Sequence, residues 1–158
     1  MTAALATIDD DAIEFRPPPL RPRAARRIRD DAEAIAVVEE LAAKLAEGAA
    51  ARDRERILPY EEMELISDAG LLAITVPKVF GGPGVRAGTV ASVIAALSRA
   101  DGSIGQIPQN HFFLLEALRL QGTEEQKRFF YGRVLAGERL GTRSRKPAPR
   151  PRRITRRG

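Results

Sequence analysis

Apolar residues recur every three or four positions in several separate stretches of the chain, and glycines, prolines and acidic caps close the intervals between them. From Asp30 onward, Ile35, Val38, Leu41, Leu45 and Ala49 share one helical face while Glu33, Glu39, Glu40, Lys44 and Glu47 take the other, which predicts an amphipathic helix over roughly 30–52. Pro59 suits the first turn of a second helix, where its missing N–H costs nothing. Glu61, Glu62 and Glu64 suit the positive end of that helix dipole, and Gly70 suits its stop. The apolar run 71–76, closed by Pro77, reads as an extended segment or a buried turn, and Gly81-Gly82-Pro83-Gly84 forces a loop. Val90, Val93, Ile94 and Leu97 then follow helical spacing up to Asp101-Gly102. A fourth helix runs from near Ser103 or Pro108 to Leu120, with Phe112, Leu115 and Leu118 able to point inward and Gly122 closing it. Thr123 with Gln126 three residues later is a capping-box pattern, and it opens a fifth helix that ends near Gly137. The sum is an all-α fold, a helical bundle of about five helices over residues 30–141.

The flanks differ in kind. Residues 1–29 hold Pro17-Pro18-Pro19, Pro22 and six arginines from Arg16 to Arg29, an arm short of backbone donors and of apolar anchors. From Thr142 the helical period stops, and 142–158 is a basic tract without apolar spacing, expected to be disordered. Charge follows the same division. The first 141 residues hold all 21 acidic groups and 18 of the 26 basic ones, so they carry a net −3; the last 17 hold eight basic groups and no acidic one. The overall +5 therefore describes the tail and not the helical body.

With no Cys, disulfides and thiolate metal sites are excluded, and a single His leaves no His-based metal cluster. The N-terminus meets Asp9, Asp10 and Asp11 without the basic and apolar run of a secretory signal, and the most apolar stretches fall far short of the roughly 20 residues that a membrane-crossing helix needs. The expectation is a soluble, cytoplasmic protein.

Four patterns invite chemistry. Gly82-Pro83-Gly84-Val85-Arg86-Ala87 has the letters of a dinucleotide fingerprint, but a helix follows where a second strand ending in an acid is needed, so it reads as a turn. His111, in Gln109-Asn110-His111-Phe112-Phe113, titrates near neutrality and reads either as a ligand contact or as a polar group at a helix face or buried end. Phe112, Phe113, Phe129, Phe130 and Tyr131 read as core at helical spacing. The adjacent acidic pairs Glu39-Glu40, Glu61-Glu62 and Glu124-Glu125 diverge by about 100° on a helix and read as solvated faces.

The order of segments is more specific than any of these patterns. Gly70-Leu71-Leu72-Ala73-Ile74-Thr75-Val76-Pro77, then Phe80-Gly81-Gly82-Pro83-Gly84, then Leu97-Ser98-Arg99-Ala100-Asp101-Gly102-Ser103-Ile104 closely resembles the N-terminal helical domain of the acyl-CoA dehydrogenase superfamily. Gly122-Thr123-Glu124-Glu125-Gln126-Lys127 and Leu135-Ala136-Gly137-Glu138-Arg139-Leu140-Gly141 continue the resemblance in order and spacing. Ile107-Pro108-Gln109-Asn110-His111-Phe112 looks most like the branch of flavin-dependent monooxygenases acting on organosulfur compounds.

The resemblance implies a larger enzyme, homotetrameric, in which this domain is one wall of the substrate pocket. A middle β-domain and a C-terminal four-helix bundle would hold FAD, or reduced FMN in the monooxygenase branch, and the substrate would be an acyl-CoA or an organosulfur compound. It brings the loop after Asp101 and the helix carrying Asn110, His111 and Phe112 to that pocket, so Ser103, Asn110, His111 and Phe112 are the candidate pocket residues. No catalytic, flavin-contacting or metal-ligating residue is assigned. The resemblance stops at Gly141, where the family continues with a flavin-contacting strand and this chain enters its Arg-Pro tract. The expectation is a truncated fragment, inactive by itself and not holding the flavin, whose tail has the composition of a shifted reading frame. The rival reading, from charge alone, is a small helical protein using its two basic flanks to bind nucleic acid or an acidic partner.

Overall fold

Asp30 opens the first helix, α1 (Asp31–Ala46), its carboxylate accepting the backbone N–H of Glu33 at 2.9 Å. The structure, a computed structural model, describes residues 25–141. Residues 1–24 of the Pro/Arg-rich arm expected over 1–29, and the basic tail expected from 142, lie outside the described residues.

The single helix expected over 30–52 is two. Glu47 leaves helical geometry and Gly48 takes a left-handed conformation, φ 75°, before α2 (Ala49–Glu55) begins. Helical period alone does not see this break, because the apolar spacing runs through it. Pro59 precedes α3 (Tyr60–Asp68) as its cap residue. Gly70 ends α3 with φ 76°, and a Cβ there would lie 2.1 Å from the carbonyl oxygen of Arg26, so this turn excludes a side chain both by conformation and by the chain crossing over it. Residues 71–76 form a buried turn containing a short 3-10 helix, Leu71–Ala73, which resolves the alternative of an extended strand.

A second 3-10 turn, Lys78–Phe80, and the glycine loop lead to α4 (Ala87–Ala100). Among the described residues no strand precedes Gly82, so the fingerprint letters mark a turn. Of the two starts open to the fourth expected helix, Pro108 is the one taken: it caps α6 (Gln109–Gln121), and α5 (Gly102–Gln106) precedes it as a separate short helix. Finally α7 (Glu124–Leu135) starts on the expected capping box, with Gln126 N–H donating to Thr123 Oγ1 at 3.2 Å and Thr123 N–H to Gln126 Oε1 at 2.9 Å. The fold is all-α, with no strand among the described residues.

Helix α1 packs along α4, α5 folds back on α4, and α6 rests on α7. The larger core joins Val38 and Leu45 of α1, Ile66 of α3, Leu71 and Ile74 of the buried turn, and Val93 and Leu97 of α4. A smaller one gathers Val76, Leu115, Tyr131, Val134 and Leu135, and half-buried Phe112 touches both. Of the aromatic group expected in the core, Tyr131 is buried and stacks at 5.0 Å on Phe80, whereas Phe113 is 64% exposed because α6 turns that face outward.

Asp31 ties α1 to the start of α4. Its carboxylate accepts from the Thr89 hydroxyl and from the Arg86 backbone N–H, 3.1 Å away, at a helix end that has no side-chain cap of its own. The Thr89 bond, then the Arg86 bonds, hold the Asp31 pKa down to about 2. Glu33 is held at about 2 by Arg29 and Arg26. Both folded values lie below the unfolded ones, so their stabilisation is complete above a pH of about 4.5 and is lost as pH falls toward 2. Urea unfolding across that range is expected to lose part of this acid-side slope in Asp31→Asn; an unchanged slope would count against the tie.

Candidate functional site

Helical spacing turns two adjacent faces of α4 apolar, and only one of them is consumed by the core. Val93 and Leu97 are buried against α1, while Val90 and Ile94, one step around the helix, are half-buried and face α6. From α6, Phe112 and Leu115 come to meet them. Between these two helices lies an open groove of about 700 Å³, floored by Thr75 and Val85 and edged by Glu116 and Arg119. Those two edge groups form a bidentate ion pair, 2.8 and 2.6 Å, which lowers the Glu116 pKa and raises that of Arg119. Beyond Val90, Ile94 and Phe112 an adjoining hollow also takes in Ser98, Gln106 and Gln109 at the α5 end.

The four residues expected at a pocket do not converge. Phe112 lines the groove. Asn110, exposed, and His111, buried, turn to the other side of α6, where a cleft of about 310 Å³ also takes in Ile107, Arg139 and Leu140. Ser103 borders a third hollow with Arg52, Ile57 and Leu58. The divergence follows from helix geometry, since neighbouring positions point about 100° apart. His111 takes the buried-end arrangement, 3% exposed with both ring nitrogens hydrogen-bonded inside the domain, and burial lowers its pKa. An exposed apolar surface, formed by Ile57, Leu58, Tyr60 and Ile107, borders the Ser103 hollow and runs on to Arg139.

Sequence reasoning passed over Arg52. Its guanidinium has five donors, and it spends them on three helix ends. It donates to the Leu45 and Glu47 carbonyls at the end of α1, to Glu62 in the first turn of α3 at 2.8 Å, and to Asp101 at 3.0 and 3.1 Å. Asp101 in turn caps α5, accepting from the N–H groups of Ser103 and Ile104 at 2.9 and 3.3 Å. Glu62 is thus not on a solvated face, as its pairing with Glu61 suggested. Nothing in the spacing of Arg52, ten residues from one partner and 49 from the other, announces the cluster.

The described residues form a short all-helical unit whose groove is open along one side and is not a closed site. Residues 25–138 match the family described as acyl-CoA dehydrogenase, N-terminal domain, and the chain belongs to that family. It is 30% identical over 112 residues to a probable FMNH2-dependent monooxygenase of Pseudomonas putida, covering 65% of this chain and 28% of that one. It is 32% identical over 115 residues to a dibenzothiophene monooxygenase of Rhodococcus erythropolis, covering 73% and 27%. It is 32% identical over 97 residues to a 3-sulfinopropanoyl-CoA desulfinase of Variovorax paradoxus, covering 61% and 24%. The chain spans about a quarter of the length of these relatives.

A flavin needs donors along its pyrimidine edge, an anchor for its phosphate and an enclosing cavity. The groove is open and apolar, and the guanidinium at its edge is already paired with Glu116. Among the described residues it does not fit a whole flavin. No group of three or more metal-ligating side chains, and no helix long and apolar enough to cross a membrane, occurs among the described residues.

Proposed function

We propose that this domain forms one wall of the substrate chamber of a flavin-dependent oxidoreductase, with the α4–α6 groove facing the substrate. The supporting observation is the open apolar groove of about 700 Å³ in a domain of this family. The flavin, reduced FMN or FAD, would be held by further domains, and the chain alone would be inactive. The names of two of the chain's relatives favour the monooxygenase branch with an organosulfur substrate over acyl-CoA dehydrogenation. Among the pocket candidates, Phe112 is the one that we assign to direct substrate contact; Ser103 and Asn110 border faces where another domain would dock. Ile107 borders both hollows, and with Ile57, Leu58 and Tyr60 it leaves apolar surface in water, which favours association.

The nucleic-acid reading rests on two basic flanks, most of which lie outside the described residues. Within the described residues Arg26, Arg29, Arg52, Arg54, Arg86, Arg119, Arg133 and Arg139 sit on carboxylates, so these eight are engaged inside the domain and not offered to a phosphate backbone.

The test is an NMR titration of the chain with dibenzothiophene, FMN and FAD. The tricyclic probe is expected to shift Val90, Ile94, Phe112 and Leu115, and Phe112→Ala to weaken it about tenfold, the loss expected for one buried aromatic contact. The flavins are expected to leave the spectrum unchanged. Stoichiometric, tightly held flavin, or probe shifts confined to faces away from α4 and α6, would refute the proposal.

A further inference from the structure

The chain leaves α7 through Glu138, Arg139 and Leu140, and each of these consecutive residues is fastened to a different helix. Glu138 accepts from Arg133 of α7 at 2.7 Å, and Arg139 donates to Glu64 of α3 at 2.6 Å. Leu140 is held by His111 of α6, whose Nδ1 lies 3.0 Å from the Leu140 backbone nitrogen. A backbone N–H only donates, so Nδ1 carries the lone pair. The other ring nitrogen, Nε2, lies 2.8 Å from the carbonyl oxygen of Leu72, which only accepts, so Nε2 carries the proton. The two partners together select one tautomer of the neutral ring. Leu72 is 2% exposed in the buried turn, which gives the ring a rigid anchor on that side.

We propose that His111 is a pH-sensitive latch that fixes the direction in which the chain leaves the domain at Leu140 and Gly141. Protonation places N–H on Nδ1, facing the N–H of Leu140. The acceptor is lost and two donors oppose each other, while the bond from Nε2–H to Leu72 is unaffected. The exit segment is therefore the side that lets go.

The charged groups around the ring do not rescue the imidazolium. The exit segment brings Arg139, a cation that disfavours a second one, and Glu138, which Arg133 holds. From α3 comes Glu64, engaged by Arg139. The buried turn, Leu71–Ala73, and the first turn of α6, residues 109–112, bring none. Burial acts in the same direction, lowering the histidine from its ordinary value of 6.5. A lowered folded value means that the latch's stabilisation is complete above the unfolded value and is lost as pH falls below it. This inference does not rest on the proposed enzymatic role.

Amide exchange of Leu140, followed by NMR on the 158-residue chain, tests it, with the α4 amides reporting whether each variant is folded. In the wild type, ring 15N shifts are expected to show the Nε2–H tautomer at neutral pH. Lowering the pH through the histidine titration is expected to cut Leu140 protection about tenfold, the scale of one hydrogen bond and the opposed donors that replace it. His111→Gln keeps a donor within reach of Leu72 but no acceptor at the Nδ1 position, and it is expected to lose Leu140 protection already at neutral pH. His111→Asn keeps an acceptor in place of Nδ1 and is expected to retain protection and to abolish its pH dependence. An Nδ1–H tautomer, equal Leu140 protection in wild type and His111→Gln, or an undiminished pH dependence in folded His111→Asn would overturn the latch.

Discussion

Arg52→Ala is expected to cost about 3 kcal/mol of stability, the lower end of what is lost when one partner of a buried ion cluster is removed. The guanidinium is 11% exposed, and its partners Asp101 and Glu62 are 9% and 20% exposed, so neither carboxylate can recover its lost donors fully from water. The same change frees the last carbonyls of α1, which Arg52 covers where Gly48 breaks the helix. It also unbalances Asp101, whose other oxygen caps α5. Urea unfolding monitored by circular dichroism measures the loss, and Arg52→Lys separates charge from geometry. A lysine is expected to recover less than half, since one ammonium cannot reach three helix ends in the planar fork that a guanidinium offers. A loss below about 1 kcal/mol in Arg52→Ala, the range of exposed ion pairs, would show that the cluster is solvated and not a junction.

Leu97→Ala is expected to cost about 3 kcal/mol, through lost burial and the cavity left between α4 and α1. Leu97 is 1% exposed and sits in the larger core with Val38, Leu45 and Val93. Leu120→Ala, at 64% exposure on α6, is expected to change stability by less than about 0.5 kcal/mol. The pair is informative because both leucines fall on helical runs that look alike in one dimension. Equal losses at the two sites would mean that α6 buries its outer face in solution, against another copy or against itself. The same urea titration reads both, and a sedimentation run at two concentrations identifies that alternative.

Local signals were legible wherever a handful of neighbouring residues settled the structure. Thr123 and Gln126 form their capping box within four residues, and Gly70 stops α3 because no other residue fits beneath the Arg26 carbonyl. The family resemblance was equally local, carried by loops and caps in a set order, and the match over 25–138 confirms it. Helix boundaries were less legible. The break at Gly48 lies inside continuous apolar spacing, which records the face a residue occupies and not whether the backbone between two such residues stays helical.

The candidate site shows the limit more sharply. Asn110, His111 and Phe112 are adjacent letters that diverge in space, two toward the cleft beside Arg139 and one into the groove. Val90 and Val93 have the same side chain and the same helix, yet one lines the groove and the other fills the core.

The order of amphipathic helices, their caps and the family to which they belong follow from the chain alone, because each depends on residues within a turn or two of one another. Tertiary packing decided the rest: which of two apolar faces of α4 stays open, where Arg52 finds Asp101, and why His111 holds Leu140. Those outcomes depend on what lies across a helix interface, and one-dimensional spacing carries no information about a neighbour that is 29 or 49 residues away.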